Sequence, residues 1–184
     1  MSVRLLAPRL LDAAHDAAGF SCGQRSLDDW LTQRALAHQS SGASRTFVVA
    51  DTQDRVVALY EMAAGTVSLD DTLGFSPQDT PAPVSVVVLT RLAVDRRAQS
   101  TGLGAALLQD AVFRAVATAE HAGVRALLTT AIDADAKRFF EHHGFKAAPD
   151  SPMTLMLRLR VAGRSSEVLD TRDVLDTHSP RQRG

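Results

Sequence analysis

The sequence predicts a mixed α/β domain, and three observations carry that reading. Runs with strand character alternate with runs of helical periodicity through residues 3–160. The strongest strand run, Val84 to Val94, leads through a glycine-containing loop into the longest helical run. The whole chain has 184 residues, room for one domain of ordinary size and too little for two.

Taken in order, Val3-Arg4-Leu5-Leu6 is a short β pattern. Ser26 offers an N-cap for the next element, and Asp28 and Asp29 fall in its first turn, where carboxylates suit the positive end of a helix dipole. Leu27, Trp30, Leu31, Ala35 and His38 then recur at helical spacing, so one face turns inward until Ser40-Ser41-Gly42. Thr46 to Ala50 and Val56 to Val67 read as strands joined by a turn at Asp51 to Asp54. Residues 70–83 hold three prolines and read as a long loop of the kind that carries function.

The Val84–Val94 strand is interrupted in character only by Arg91. Beyond the glycine loop, Leu107, Leu108, Ala111, Val112, Ala115, Val116 and Ala119 mark one buried helical face, ended by Gly123. Val124 to Ile132 is a strand, Asp133 opens a short helix through His143, and Gly144 closes it as a C′ residue. Phe145–Ala147 and Met153–Leu159 complete the sheet, so the domain spans 1–160. Residues 161–184 form a polar tail, flexible or docked, whose apolar anchors are Val168-Leu169 and Val174-Leu175.

Composition bounds the function. Hydrophobic residues make up 45% and charged residues 22%, which excludes wholesale disorder. A formal net charge of -1 argues against a general polyanion binder, because non-specific nucleic-acid affinity comes mainly from phosphate neutralisation. Local Arg patches remain open to RNA, since all the basic residues except Lys137 and Lys146 are Arg. The single Cys22 cannot form an internal disulfide, and no apolar run approaches a membrane span, so a soluble cytoplasmic protein is expected.

The chemistry sits in Gln99-x-x-Gly102-x-Gly104, between a strand and a helix. Glycines let the backbone approach a ligand, and amides at a helix start can hold an anion such as a pyrophosphate. The loop is not a Walker A motif, which needs Gly-Lys-Ser/Thr, nor the three-glycine dinucleotide fingerprint. By itself it is equally consistent with a tight structural turn.

Further segments extend the pattern: Phe20-Ser21-Cys22-Gly23 with Leu27-Asp28-x-Trp30-Leu31, Gly42-Ala43-Ser44-Arg45-Thr46-Phe47-Val48-Val49, Pro83-Val84, Arg91-Leu92-Ala93-Val94-Asp95, and Ala136-x-x-Phe139-Phe140-x-x-x-Gly144-Phe145. With them, residues 3–160 resemble the GNAT acetyltransferase superfamily, most closely the GNAT toxins of bacterial toxin–antitoxin operons, the TacT and AtaT type. The resemblance implies a mixed, mostly antiparallel sheet splayed between its fourth and fifth strands, flanked by helices. It implies that backbone groups of Leu92, Ala93 and Val94 pair with the pantetheine arm of acetyl-CoA. The amides of Gln99, Ser100, Thr101, Gly102, Leu103 and Gly104 would meet its pyrophosphate, and the Leu92 amide would face the developing oxyanion. Arg45 and Arg91 match positions that guide the tRNA acceptor end, and Arg96 and Arg97 suit the coenzyme's 3′-phosphate or RNA, or are merely solvated.

The implied activity is acetyl transfer to the α-amino group of aminoacyl-tRNA, blocking translation. The implied partner is a ribbon-helix-helix antitoxin, with DNA bound only through the antitoxin complex, and the implied assembly is a homodimer. One residue departs from the family pattern. Phe140 stands where these toxins carry a Tyr whose hydroxyl acts as general acid, and losing such a group forfeits about 10²–10⁴-fold in rate. A water, His142, His143 or Tyr60 could substitute. Two alternatives therefore stay open: a GNAT enzyme for a small amine or a protein amino group, and a catalytically weakened acetyl-CoA-binding module.

The other reactive residues read blandly. Cys22 has no partner pattern for a nucleophile, and Leu27 and Trp30 belong to a core face. No metal site is expected, because adjacent His142 and His143 would not share a helix face and lack an acidic or Cys partner at ligand spacing.

Overall fold

A computed structural model of the chain describes residues 5–68, 75, 78 and 82–160. Its strands are β1 (Arg9–Leu10), β2 (Arg45–Ala50), β3 (Val56–Val67), β4 (Val84–Val94), β5 (Ala126–Thr130), β6 (Lys146–Ala148) and β7 (Ser151–Arg158). The helices are α1 (Arg25–Gln33), α2 (Ala35–Ser41), α3 (Leu103–Ala122) and α4 (Ala134–His142), with a 3-10 turn at Arg96–Ala98. They build one mixed sheet in the order β1-β2-β3-β4-β5-β7-β6, in which only β4 and β5 run parallel.

Alternation along the central strands sends apolar side chains to both faces. On one face Phe47, Tyr60, Leu89 and Leu127 pack against Leu107, Leu108, Ala111 and Ala115 of α3 and Phe140 of α4. On the other, Val48, Leu59 and Ala93 pack against Trp30 and Leu31 of α1, Ala35 of α2, and Leu11 and Phe20. Trp30 and Leu27 thus belong to this second core, as their spacing predicts.

Three expectations need correction. The helix read as continuous from Ser26 to Ser40 is two, because Arg34 departs to φ -128° and ψ -27°. That kink keeps Trp30, Leu31 and Ala35 all turned to the sheet. Ser26 is not the N-cap; Gln24 holds that position without a side-chain bond, and Asp28 instead accepts from the Cys22 amide and the Ser21 hydroxyl. The first strand is Arg9–Leu10, displaced from Val3–Leu6, although Leu5 bridges Asp51 and the Leu6 amide donates to Ala50. Pro8 lacks an amide hydrogen and separates the two contacts. Val3, Arg4, most of the 70–83 loop and the tail at 161–184 lie outside the described residues. No helix among the described residues is long and apolar enough to cross a membrane.

Candidate active site

The sheet opens at its centre. β4 and β5 pair from Val86 with Ala126 to Leu89 with Thr129, and there the pairing stops, while β4 continues to Val94 against β3 alone. A bulge sits at the same level: Glu61 faces Arg91 and Met62 faces Leu89, leaving Thr90 as the extra residue. Beyond the bulge the Asp95 amide donates to the Val57 carbonyl. Strand alternation then turns the amide and carbonyl of Ala93 toward Leu59 and those of Leu92 and Val94 into the opening. Of the three residues expected to meet pantetheine, Leu92 turns both backbone groups to the split and Val94 its amide, the Val94 carbonyl being bonded by Gln99.

The loop below it is tied down from several sides. Asp95, 2% exposed, accepts from the Ser21 and Arg97 amides and takes both Nε and Nη2 of Arg97 at 2.8 and 2.9 Å. Those Arg97 bonds, opposed by burial and helped by the amides, bring its carboxyl down to about 2. The Gln99 side chain donates to the carbonyls of Cys22 and Val94 at 2.8 and 2.9 Å, and the Thr101 hydroxyl to Ala98 at 2.6 Å.

Gly102 caps α3 with φ +86°, a left-handed conformation that suits glycine, and no side chain bonds the helix start. The first amides of α3, at Leu103 and Gly104, therefore have no capping side chain. A bare helix N-terminus beside an open strand edge fits a pyrophosphate followed by an amide-bearing arm. The residues present thus suit a coenzyme A thioester.

The four arginines are placed, and each is partly engaged. The Arg96 guanidinium lies over Gly23, where a Cβ would meet its Nε at 3.1 Å. Arg97 holds Asp95 yet keeps 65% of its side chain exposed. Arg45 is exposed at the start of β2 and reaches the Gln39 carbonyl at 3.4 Å. Arg91 pairs with Glu61 and lies 4.2 Å over the Trp30 ring.

Phe140 is buried among apolar side chains, its ring 5.3 Å from Phe139 and 5.4 Å from Phe145. Tyr60 fails as a substitute acid. Its hydroxyl donates to Asp110, which also binds Arg114, and burial together with that bond pushes the phenol far above its ordinary value. The ring Nδ1 of His143 lies 2.7 Å from the Phe139 carbonyl, and the side chain lines a hollow of about 500 Å³ with Ala105, Gln109 and Val112. His142 and His143 touch edge to face at 5.2 Å, but no metal-binding group of His, Cys, Asp or Glu occurs among the described residues. Burial, with Asp28 beside it, pushes the Cys22 thiol up to about 11, so it stays protonated and no nucleophile.

The sequence reading missed Glu61. It is 1% exposed on β3 and accepts from the hydroxyls of Ser44 and Thr90 and from Arg91, with His38 Nδ1 at 3.6 Å. Burial disfavours its charge, but the bonds from Ser44, Thr90 and Arg91 outweigh that and hold the carboxyl below its ordinary value. One carboxylate inside an otherwise apolar strand run was the available signal.

This geometry is that of a known class. The acetyltransferase (GNAT) domain model matches residues 43–147, and the chain belongs to that family. It is 44% identical over 156 residues to a tRNA-acetylating toxin of Mycobacterium tuberculosis, covering 85% of this chain and 93% of that protein. Among solved structures, AtaT complexed with acetyl-methionyl-tRNAfMet aligns with a TM-score of 0.77 at 22% identity, over 84% of this chain and 95% of the other. A mutant AtaT toxin bound to the C-terminus of the antitoxin AtaR and acetyl-CoA aligns at 0.71 and 23% identity, over 84% and 93%. Both show that the fold is shared.

Proposed function

We propose that this chain is an acetyl-CoA-dependent N-acetyltransferase acting on the α-amino group of aminoacyl-tRNA, a toxin that blocks translation. The single observation that carries the reading is the 44% identity to a tRNA-acetylating toxin along nearly all of that relative. The split sheet and uncapped α3 N-terminus support it from the geometry. In the same reading the toxin is a homodimer, held in check by a ribbon-helix-helix antitoxin through which alone the pair meets DNA.

When bound, acetyl-CoA supplies the activated acetyl group. The chain's own residues do the rest. The amides at the start of α3 hold phosphate, and the Leu92 and Val94 backbone aligns the donor in the split. The Leu92 amide, facing the opening, can donate to charge developing on the thioester oxygen. Arg45 and Arg91 are assigned to the acceptor end, a role their exposed surface supports. Phe140 gives no proton to the departing thiolate, so that proton comes from water or another group, and turnover is slow for the family.

Incubating the purified protein with radiolabelled acetyl-CoA and a total aminoacyl-tRNA pool tests this. RNA-bound label that mild alkaline deacylation removes is the expected outcome. Bound acetyl-CoA without RNA label overturns it, in favour of a small-amine enzyme or a silent coenzyme-binding module.

A further inference from the structure

The acceptor amine arrives as an ammonium and must lose a proton before it can attack. With donor phosphates held at the α3 N-terminus, the face left to the acceptor is the one opposite α3, on which α1 and α2 lie. On that face lies the Glu61 cluster, one residue along β3 from Tyr60, whose partner across the ladder is Leu92. Glu61 is a poor base, because Ser44, Thr90 and Arg91 bond its ionised form and hold its carboxyl below the ordinary value. Arg91 cannot serve as a base, since a guanidinium stays protonated. His38 is the member of the cluster whose side-chain type exchanges protons near neutrality.

His38 stands beside Glu61 with part of its ring open. Its Nδ1 faces Oε1 of Glu61 at 3.6 Å, its ring meets the Trp30 ring edge to face at 6.0 Å, and 42% of the side chain is exposed. Among the described residues nothing bonds its Nε2. Beneath it the Trp30 Nε1 is buried with no partner among the described residues, a donor left over on the same face. The charged groups around it are Glu61 from β3, Arg91 from β4, Arg45 from β2, which reaches the adjacent Gln39 carbonyl, and Arg34 one turn back on its own segment.

We propose that His38, oriented by Glu61, takes the proton from the acceptor ammonium; the inference rests on the transferase reading above. An N–H bond of the ammonium breaks and its proton passes to Nε2. The freed lone pair attacks the acetyl carbonyl, a C–N bond forms, and the C–S bond breaks with its electron pair on sulfur. The second amine proton ends on the thiol, and His38 returns its own to solvent. Glu61 is a positioning residue, acting through His38 and Arg91.

The test is acetyl transfer to the aminoacyl-tRNA pool as a function of pH, for the wild type and His38→Ala. The wild-type kcat is expected to rise with pH through one ionisation. His38→Ala should lose that step and about 10²-fold in kcat near neutrality, keep its affinity for acetyl-CoA, and recover in part with added imidazole. Glu61→Gln should lower kcat more than it raises KM. A wild-type profile in His38→Ala overturns this inference alone. A wild type that labels no RNA at any pH overturns the transferase reading with it.

Discussion

At Phe140 the ring is held between Phe139 and Phe145 in the cluster that also carries Leu89 and Leu107. A hydroxyl added at its tip enters apolar surroundings, and without a partner that burial costs ~1–3 kcal/mol. Its gain, under the proposed mechanism, is catalytic: a proton donor placed where the resemblance puts the general acid. Phe140→Tyr is therefore expected to raise kcat about 10–100-fold with little change in KM for acetyl-CoA, while lowering the melting temperature. Single-turnover transfer and a thermal melt on the same sample check both parts. An unchanged kcat would mean that the leaving thiolate finds its proton elsewhere. Tyr60 is not that source, since its hydroxyl is spent on Asp110 and its phenol is far too weak an acid.

The element that makes the site is the loop from β4 to α3, and its stiffness comes from Asp95. This carboxylate joins the Phe20–Gln24 segment, through the Ser21 amide, to the Arg96–Ala98 turn, through the Arg97 amide and guanidinium. Its carboxyl lies at about 2 in the fold against an ordinary 3.8. A depressed acid stabilises above its unfolded value, here by ~2 kcal/mol, and loses that contribution as pH falls from about 4 toward 2. Asp95→Asn should therefore melt lower than the wild type at neutral pH, with the gap closing at acid pH; melting curves across that window are the measurement. A constant gap would assign the loss to packing rather than to charge. The variant should also bind acetyl-CoA more weakly, because the α3 amides then hang on a looser loop.

For the molecule as a whole, what the sequence disclosed divides by distance along the chain. The α3 face, the valine-rich β4 and the glycine loop are local patterns, and each was readable because its spacing alone sets its structure. The split between β4 and β5 was legible only through the family resemblance, since no local signal says where two paired strands part. The kink at Arg34 escaped because its segment keeps helical spacing on both sides. The Glu61 cluster escaped because it gathers His38, Ser44, and the adjacent Thr90 and Arg91 from three separate segments, which no spacing rule joins.

Residues 161–184 follow the described part of the chain. Among the described residues the last strand ends at Arg158, and the Leu159 amide donates to the Arg125 carbonyl. The apolar clusters on the two faces of the sheet draw their described members from residues 11–159. With the domain proposed to span 1–160, removing 161–184 is expected to leave the melting temperature within about 2 °C and the rate of acetyl transfer within about twofold, the range of a surface change. The full-length and truncated proteins, melted and assayed side by side, decide it. A rate that rises on truncation would make the tail a cover over the acceptor face, and a rate that falls would make it part of the surface that receives the tRNA.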